Sequence, residues 1–165
     1  MKGNKKEKKL LSLRGCFRHR INEQNRVSLP SNFREALKNR GVKRLVVAKY
    51  ADCLRAFPED VFEERESRLS GLDLDDDKAI GYLRQLYSNL SEVEVDMQGR
   101  IILSEDWRRE FSIKDQVLLL GLGSVFEVWN PDYFQYKERE LKEQFGANRA
   151  HVSEVLEKRK RDEGT

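Results

Sequence analysis

Two arginines, Arg26 and Arg100, lie 74 residues apart, and each ends a short polar turn that leads into an apolar strand. The first turn reads Asn22-Glu-Gln-Asn-Arg26 and the second reads Asp96-Met-Gln-Gly-Arg100. A guanidinium group carries five N–H donors in one plane, so it can pair with a carboxylate, clamp a phosphate or bridge the acceptors of guanine. These two positions therefore offer ion pairing, either within the protein or with a polyanion.

The residues of each turn are suited to place the arginine at the start of the strand that follows. Asp96 can accept hydrogen bonds from the amides of its turn, and Gly99 can adopt a positive φ. Asn25 replaces Gly99 in the first copy, and asparagine is the non-glycine residue that best tolerates a left-handed conformation. We predict that Asp96, Gly99 and Arg100 form a structural turn in which Arg100 pairs with Asp96.

The similarity between the two turns extends into the segments around them. With the same shift, apolar and aromatic positions coincide: Ile21 with Val95, Val27 with Ile101, Leu29 with Leu103 and Phe33 with Trp107. Residues 45–47 also match residues 119–121, and residues 53–60 match residues 125–132 after a shortening of two residues. A unit found twice predicts two copies of one small fold. Because about 70 to 75 residues bury little surface alone, we expect both copies to share one core.

Local patterns predict the same order of elements in each copy. For the first copy we predict strands at 13–21 and 26–29, a helix at 32–38, strands at 44–49 and 54–57, and a helix that begins at Pro58. For the second copy we predict a hairpin at 93–103, a helix at 105–111, strands at 117–121 and 125–129, and a helix that begins at Pro131. A helix at 76–90 connects them. These elements indicate a mixed α+β fold.

The domain organisation follows from this order. We predict a basic tail at 1–12, a first repeat with its C-terminal helix at 13–74, a connecting helix at 75–91, a second repeat with its C-terminal helix at 92–146 and a charged tail at 147–165. The sequence leaves open whether this last segment is a frayed helix or disordered.

Composition excludes several classes of protein. The 165 residues are 38% hydrophobic and 37% charged, as in a soluble globular protein, and no apolar run reaches the roughly 18 residues of a membrane span. No apolar segment follows the basic N-terminus, so we expect no secretory signal and predict a cytoplasmic protein. Cys16 and Cys53 lack the spacing of a zinc site.

An enzyme is not expected either. The chain has no glycine-rich phosphate loop, no HExxH motif and no GxSxG motif, and its two histidines are far apart in sequence. The acidic cluster Asp75-Asp-Asp77 could bind magnesium, but capping of a helix explains it more simply. We therefore expect no cofactor, no metal and no small-molecule substrate.

The net charge of +3 is small, but the charges are unevenly distributed. The first 20 residues contain a single acid, Glu7, and eight basic residues: Lys2, Lys5, Lys6, Lys8, Lys9, Arg14, Arg18 and Arg20. Acids gather instead between residues 59 and 77. Such segregation favours binding to a polyanion. Whether residues 1–9 contact nucleic acid or form only a solvated tail is left open by the sequence.

Several short motifs together resemble the MraZ family of bacterial DNA-binding regulators, which are associated with the division and cell-wall gene cluster. The motifs are Leu13-Arg-Gly15, Asn22-x-x-x-Arg26, Leu29-Pro30, Phe33-Arg34, Asp96-Met-Gln-Gly-Arg100 and Phe126-Glu-Val-Trp-Asn130. The resemblance implies a pseudo-twofold, swapped-hairpin AbrB-like β-barrel formed by two tandem repeats, with flanking α-helices. It also implies a ring-shaped homo-oligomer that binds short direct repeats in double-stranded promoter DNA at the nucleoid.

In that family the DNA contact is assigned to the first turn, which here is residues 22–26. The resemblance therefore implies that Arg26 enters a groove of the duplex. The other residues that we expect to bind DNA are Asn22, Gln24, Arg14, Arg18 and Arg20. Alternation along a strand places Arg18 and Arg20 on one face and His19 on the other.

This sequence departs from the family pattern, because Asn22 and Gln24 stand where the family carries an aspartate and a lysine. The missing lysine should weaken the attraction to phosphate. The missing carboxylate leaves Arg26 without a charged partner in its own turn, which favours a DNA contact over an internal pair. The alternative is an AbrB-like assembly or antitoxin-type interaction protein without strong DNA specificity.

Overall fold

The computed structural model describes residues 12–164 and confirms the mixed α+β class. Most of the basic tail predicted at 1–12 lies outside the described residues. The strands are β1 (Cys16–Arg20), β2 (Arg26–Ser28), β3 (Arg44–Lys49), β4 (Leu54–Pro58), β5 (Leu90–Glu94), β6 (Arg100–Ile102), β7 (Gln116–Gly121) and β8 (Phe126–Trp129). The helices are α1 (Ser31–Asn39), α2 (Glu59–Leu69), α3 (Asp77–Ser88), α4 (Glu105–Glu110) and α5 (Pro131–Glu163).

The sheet topology joins each copy to the other. A six-stranded antiparallel sheet has the order β1-β7-β8-β4-β3-β5, and a two-stranded ribbon consists of β2 and β6. The first strand of each copy is exchanged, because β1 pairs with β7 of the second copy and β5 pairs with β3 of the first. Equivalent strands meet in two further pairs, β4 with β8 and β2 with β6. The tandem repeats are therefore interleaved around a pseudo-twofold axis within one chain.

The closed barrel that we predicted is not observed. β1 and β5 are the outer strands of the large sheet, and the ribbon forms a sheet of its own. We also predicted that the two strands within residues 93–103 pair with each other as a hairpin. This pairing is wrong, because β5 pairs with β3 and β6 pairs with β2. The reason is burial: Val27 and Ile101 face each other across the ribbon, and pairing between the copies places both over one core.

The sheet register corrects the alignment of the two copies. Val47 pairs with Ala56 and Leu119 pairs with Val128, and the loops between these strands, residues 50–53 and 122–125, are equally long. Residue 45 therefore corresponds to residue 117, and the predicted match of residues 45–47 with 119–121 is wrong by two positions. The shortening lies before β7, since α4 has 6 residues where α1 has 9. Sequence reasoning missed this because residues 117–120 are all apolar.

The connecting helix is shorter than predicted. It ends at Ser88, and Leu90 is already the first residue of β5. The apolar side chain of Leu90 continues the helical spacing, so the pattern extends too far. At the other end Asp76 caps α3, because its Oδ1 accepts hydrogen bonds from the N–H groups of Lys78 at 2.8 Å and Ala79 at 3.2 Å.

Two compact units divide the chain, one up to Pro131 and one from Asp132 onward. The second unit consists of α5, a single helix that includes most of the segment predicted as a charged tail at 147–165. None of the helices within residues 12–164 is both long enough and apolar enough to cross a membrane.

One hydrophobic core lies between the large sheet and the ribbon, and both copies contribute to it. The ribbon supplies Val27 and Ile101, and the helices α1 and α4 supply Phe33 and Trp107. The ring of Phe33 lies 5.3 Å from that of Phe126 in the second copy. The prediction that the copies share a core is confirmed. A smaller cluster lies beneath α2: Val46, Ala48, Phe57 and Phe62.

An ion pair between a partly exposed arginine and a buried carboxylate joins the copies at the centre of the sheet. Arg55 of β4 faces Glu127 of β8, and its Nη2 donates to Glu127 Oε2 at 3.0 Å. The thiol of Cys53 donates to the same oxygen at 3.3 Å, and Trp129 Nε1 donates to Glu127 Oε1 at 3.2 Å. The guanidinium also lies 4.0 Å above the ring of Tyr50. Burial raises the pKa of Cys53 far above its usual value, so this thiol is a structural donor and not a nucleophile.

Candidate nucleic-acid interface

Asn22 organises the first turn. Its Oδ1 accepts hydrogen bonds from the main-chain N–H groups of Gln24 at 3.0 Å and Arg26 at 2.9 Å. Its own N–H donates to the carbonyl of Arg26 at 3.0 Å. Asn25 has a φ of 60°, in the left-handed region. An amide side chain thus closes this turn without a charge.

The second turn has the same main-chain geometry and one additional contact. Asp96 Oδ1 accepts hydrogen bonds from the N–H groups of Gln98 and Arg100, both at 2.9 Å, and Gly99 has a φ of 73°. The contact that Asn22 cannot reproduce is an ion pair, in which Arg100 Nε donates to Asp96 Oδ2 at 2.9 Å. The main-chain N–H of Arg100, and then its guanidinium, hold the pKa of Asp96 below its usual value.

We expect Asp96→Asn to make the stability of the fold less dependent on pH. Because the native pKa of Asp96 is lowered, its carboxylate stabilises the fold above the unfolded-state pKa, and this contribution is lost as pH falls through the native pKa. Between about pH 5 and about pH 3, the free energy of unfolding should fall more steeply for the unmodified chain than for the variant. Urea denaturation at both pH values measures this difference. Equal decreases in the free energy of unfolding for the two proteins would show that the ion pair does not stabilise the turn.

The two turns are joined by main-chain hydrogen bonds. The N–H of Leu29 donates to the carbonyl of Gly99 at 2.9 Å, and the N–H of Leu103 donates to the carbonyl of Asn25 at 2.8 Å. Each turn is therefore fixed by the end of a strand from the other copy. The two turn arginines consequently emerge from one connected unit.

Two further arginines, to which sequence analysis gave no role, support the turns. Arg108 Nη1 donates to Asn25 Oδ1 at 2.6 Å. Arg34 covers Gly99 so closely that a Cβ at this glycine would lie 1.9 Å from Arg34 Cδ. The shift of 74 residues that aligns the turns also equates Arg34 with Arg108. The repeat in the sequence could therefore have indicated that these two arginines have equivalent roles.

The ribbon directs both turn arginines to the same outward face. In the register of β2 with β6, Arg26 faces Ile102 and Arg100 faces Ser28, while the residues between them are buried. Arg26 Nη1 donates to Gln24 Oε1 at 2.8 Å. Across residues 12–164, a carboxylate pairs with Arg100 but none pairs with Arg26. The first turn therefore presents a guanidinium group that lacks an internal counter-charge.

β1 continues this outward surface. Arg18 and Arg20 are exposed, while His19 points to the opposite face, where its Nδ1 contacts the carbonyl of Ser28. The bridge between Ile21 and the ribbon aligns Arg20 with Ser28. Arg20 therefore lies beside the ribbon.

Arg14 lies apart from the other predicted residues. It precedes Arg20 by six residues along the chain, which is roughly 15 to 20 Å in an extended segment. Its Nε donates to Ser12 Oγ at 2.6 Å. Five of the six predicted DNA-binding residues thus lie between the middle of β1 and the start of β2: Arg18, Arg20, Asn22, Gln24 and Arg26.

Comparison with known families supports the relationship that the motifs suggest. A family model described as "MraZ protein, putative antitoxin-like" matches residues 13–85 and again residues 86–154. The chain belongs to the MraZ family. The resemblance that the sequence motifs indicate is thereby confirmed, with one match to the MraZ model for each copy.

Individual MraZ proteins are also similar to this chain over most of its length. Relatives with the name "Transcriptional regulator MraZ" include the following three. The relative from Roseiflexus sp. (strain RS-1) is 32% identical over 121 residues, which cover 73% of this chain and 82% of the relative. The relative from Burkholderia cenocepacia (strain HI2424) is 33% identical over 120 residues, which cover 72% of this chain and 82% of the relative. The relative from Syntrophobacter fumaroxidans (strain DSM 10017 / MPOB) is 32% identical over 117 residues, which cover 71% of this chain and 78% of the relative.

The two halves of this MraZ family member differ in charge although they share a fold. Arg18 and Arg20 of β1 correspond to Glu92 and Glu94 of β5. The nearest cation described beside those two acids is Arg44 of β3, which lies 3.9 Å from Glu92 and 3.8 Å from Glu94. The outer strand of the first half is therefore basic, and that of the second half is acidic.

Proposed function

We propose that this member of the MraZ family is a DNA-binding transcription regulator whose contact surface is the first turn with the outward faces of β1 and β2. One difference between equivalent arginines carries the proposal. Arg100 is held by the carboxylate of Asp96, whereas Arg26 is held only by the uncharged Gln24. A guanidinium without an internal counter-charge is suited to bind a phosphate or guanine. The basic character of β1 favours the same side of the molecule.

The geometry supports different roles for the residues of this surface. Arg26 binds the acceptors of guanine or a phosphate in the major groove, which is wide enough for a two-stranded ribbon. Arg18 and Arg20 bind phosphates, which fixes the register on the duplex without reading its sequence. Asn22 and Gln24 act mainly as positioning residues, because the oxygen of each side chain is already bonded within the turn.

The proposal extends to the target and the assembly. The target lies in the division and cell-wall gene cluster, the operator consists of short direct repeats, and several copies bind it as a ring in the cytoplasm at the nucleoid. Identical repeats in DNA favour identical surfaces on a protein assembly, because linked weak sites raise the effective concentration of one another. The role requires no cofactor, no catalysis, no small-molecule substrate and no membrane.

Electrophoretic retardation tests the proposal. An operator is first isolated by unbiased binding selection on genomic fragments, and a duplex with its direct repeats is then compared with a scrambled duplex at the same salt concentration. We expect the repeat duplex to bind at least about tenfold more tightly. Equal retardation would favour a second candidate, an AbrB-like assembly or antitoxin-type interaction protein without strong DNA specificity, which the description of the family as antitoxin-like supports.

An exposed apolar face of α5 supports self-association. Five large apolar side chains recur at helical spacing and are between 46% and 66% exposed: Leu141, Phe145, Val152, Val155 and Leu156. A helix face of this kind is stabilised by packing against another helix. A second copy of the chain supplies an equivalent face, so we propose that α5 contributes to the assembly.

We expect Phe145→Glu to dissociate the oligomer. Loss of the buried ring and burial of a charge should cost at least about 2 kcal/mol for each copy, which weakens association at least about 30-fold. Ala150→Glu places the same side chain on the opposite side of α5 and should leave the size unchanged. Sedimentation velocity measures both variants. An unchanged size for Phe145→Glu would rule out this face as a subunit contact.

A further inference from the structure

Asn25 immediately precedes Arg26, and its conformation sets the direction in which Arg26 leaves the first turn. The φ of Asn25 is 60°, in the left-handed region that residues with a Cβ disfavour. Gly99 occupies the equivalent position of the second turn, and glycine adopts its φ of 73° without this cost. The first turn therefore gains more than the second from a contact that holds this residue in place.

Arg108 of the second copy supplies that contact. Its Nη1 donates to Asn25 Oδ1 at 2.6 Å, and a hydrogen bond from a charged donor is stronger than one between neutral groups. Its Nη2 donates to the carbonyl of Lys114. The carbonyl of the next residue, Asp115, accepts the N–H of Ile21 at 2.8 Å. Arg108 thus ties the end of the first turn to the same loop that holds its beginning.

The contacts of Arg108 favour a role inside the protein over a direct contact with a phosphate. Both terminal nitrogens of the guanidinium already donate to protein oxygens. The Nε is buried and makes no hydrogen bond within residues 12–164. Arg34, the equivalent arginine of the first copy, is exposed, and its Nη1 reaches the carbonyl of Gln98 at only 3.4 Å. The two arginines therefore support their turns to different degrees.

We propose that Arg108 is a positioning residue for DNA binding, which it strengthens by fixing Asn25 and thereby aiming Arg26. This inference rests on the proposed contact of the first turn with DNA. Side chains that are ordered before binding lose less entropy when the complex forms. A residue of the second copy thus raises the affinity of the first turn without touching the duplex.

Titration of a labelled operator duplex by fluorescence anisotropy, at several salt concentrations, tests the inference with the full-length chain. We expect Arg108→Ala to weaken binding roughly threefold to tenfold, which corresponds to the ordering of one side chain on binding. The slope of log affinity against log salt concentration should not change. Loss of a phosphate contact would instead make that slope shallower by about 0.9.

A second variant removes the same hydrogen bond from its other end. Asn25→Gly keeps the left-handed conformation accessible and leaves the contact of Arg108 with Lys114 in place, so it remains informative if Arg108→Ala perturbs α4. We expect the same roughly threefold to tenfold loss of affinity. The double variant should bind no more weakly than the weaker single variant, because both substitutions delete one shared contact.

Arg34→Ala is the matched control, since it deletes the equivalent arginine beside the second turn, and it should change the affinity less than about twofold. Multiplied losses in the double variant, or a shallower salt slope for Arg108→Ala, would overturn the inference in favour of a direct phosphate contact. Unchanged affinity for both single variants, while Arg26→Ala weakens binding, would overturn the inference alone. Unchanged affinity for Arg26→Ala would contradict the proposed function, and the inference with it.

Discussion

Arg26→Ala is expected to lower the affinity for the operator duplex roughly 5- to 150-fold while the melting temperature changes by less than about 2 °C. The guanidinium of Arg26 makes a hydrogen bond to Gln24 but no ion pair with a described carboxylate, so its removal takes little from the fold. A bidentate contact with a base contributes roughly 1 to 3 kcal/mol of discrimination, which sets the size of the loss. Fluorescence anisotropy with a labelled operator and differential scanning calorimetry measure the two quantities.

The equivalent substitution in the second copy is the matched control. Arg100→Ala removes the partner of Asp96, so we expect the free energy of unfolding to fall before DNA affinity does. Both variants delete the same side chain from the same position of the same turn. If Arg100→Ala weakened DNA binding and Arg26→Ala weakened the fold, the two roles would have to be exchanged.

Arg55→Met is expected to destabilise the protein by about 3 kcal/mol at neutral pH and to lower the melting temperature by roughly 6 to 12 °C. The substitution keeps most of the side-chain volume but leaves the carboxylate of Glu127, which is only 8% exposed, without its cation. A buried charge that loses its partner is costly because the interior solvates it poorly. Thermal and chemical denaturation measure these changes.

Arg44→Met controls for the loss of an arginine from a neighbouring strand. The acids around Arg44 are Glu59, Glu92 and Glu94, which are 39%, 70% and 81% exposed, so water replaces most of the lost contacts. We expect this variant to lose less than about 1 kcal/mol. Equal losses for Arg44→Met and Arg55→Met would mean that the pair with Glu127 does not join the two copies energetically.

Local patterns in the sequence predict the helices and strands of this fold better than they predict which strands pair. The strand at 44–49 is observed with the predicted bounds, because its apolar centre at 45–47 lies between clear turn signals. Its neighbours were not predictable in the same way. A hairpin between residues 93 and 103 satisfies every local signal, and its turn closes between Asp96 and Arg100, yet the ladder partner of β5 is β3 of the other copy.

The candidate site shows the same division between local and distant information. The turn at Asn22 follows from residues within four positions of one another, so its geometry could be predicted from the sequence. The support that Arg108 gives to Asn25 comes from 83 positions away, and the pair of Arg55 with Glu127 joins residues 72 positions apart. No local pattern encodes such a partner. The repeat could have indicated both, because it equates Arg34 with Arg108 and, in the match of residues 53–60 with 125–132, Arg55 with Glu127.

Photo-crosslinking from the tips of the two turns tests most directly whether the first turn contacts DNA. Glu23 and Met97 occupy equivalent, exposed positions, one residue after Asn22 and Asp96. A benzophenone amino acid is introduced at either position in the full-length chain, and the complex with the operator duplex is irradiated. We expect covalent attachment to DNA from position 23 and little from position 97. Equal attachment from both, or attachment from position 97 alone, would contradict the assignment of the interface to the first turn.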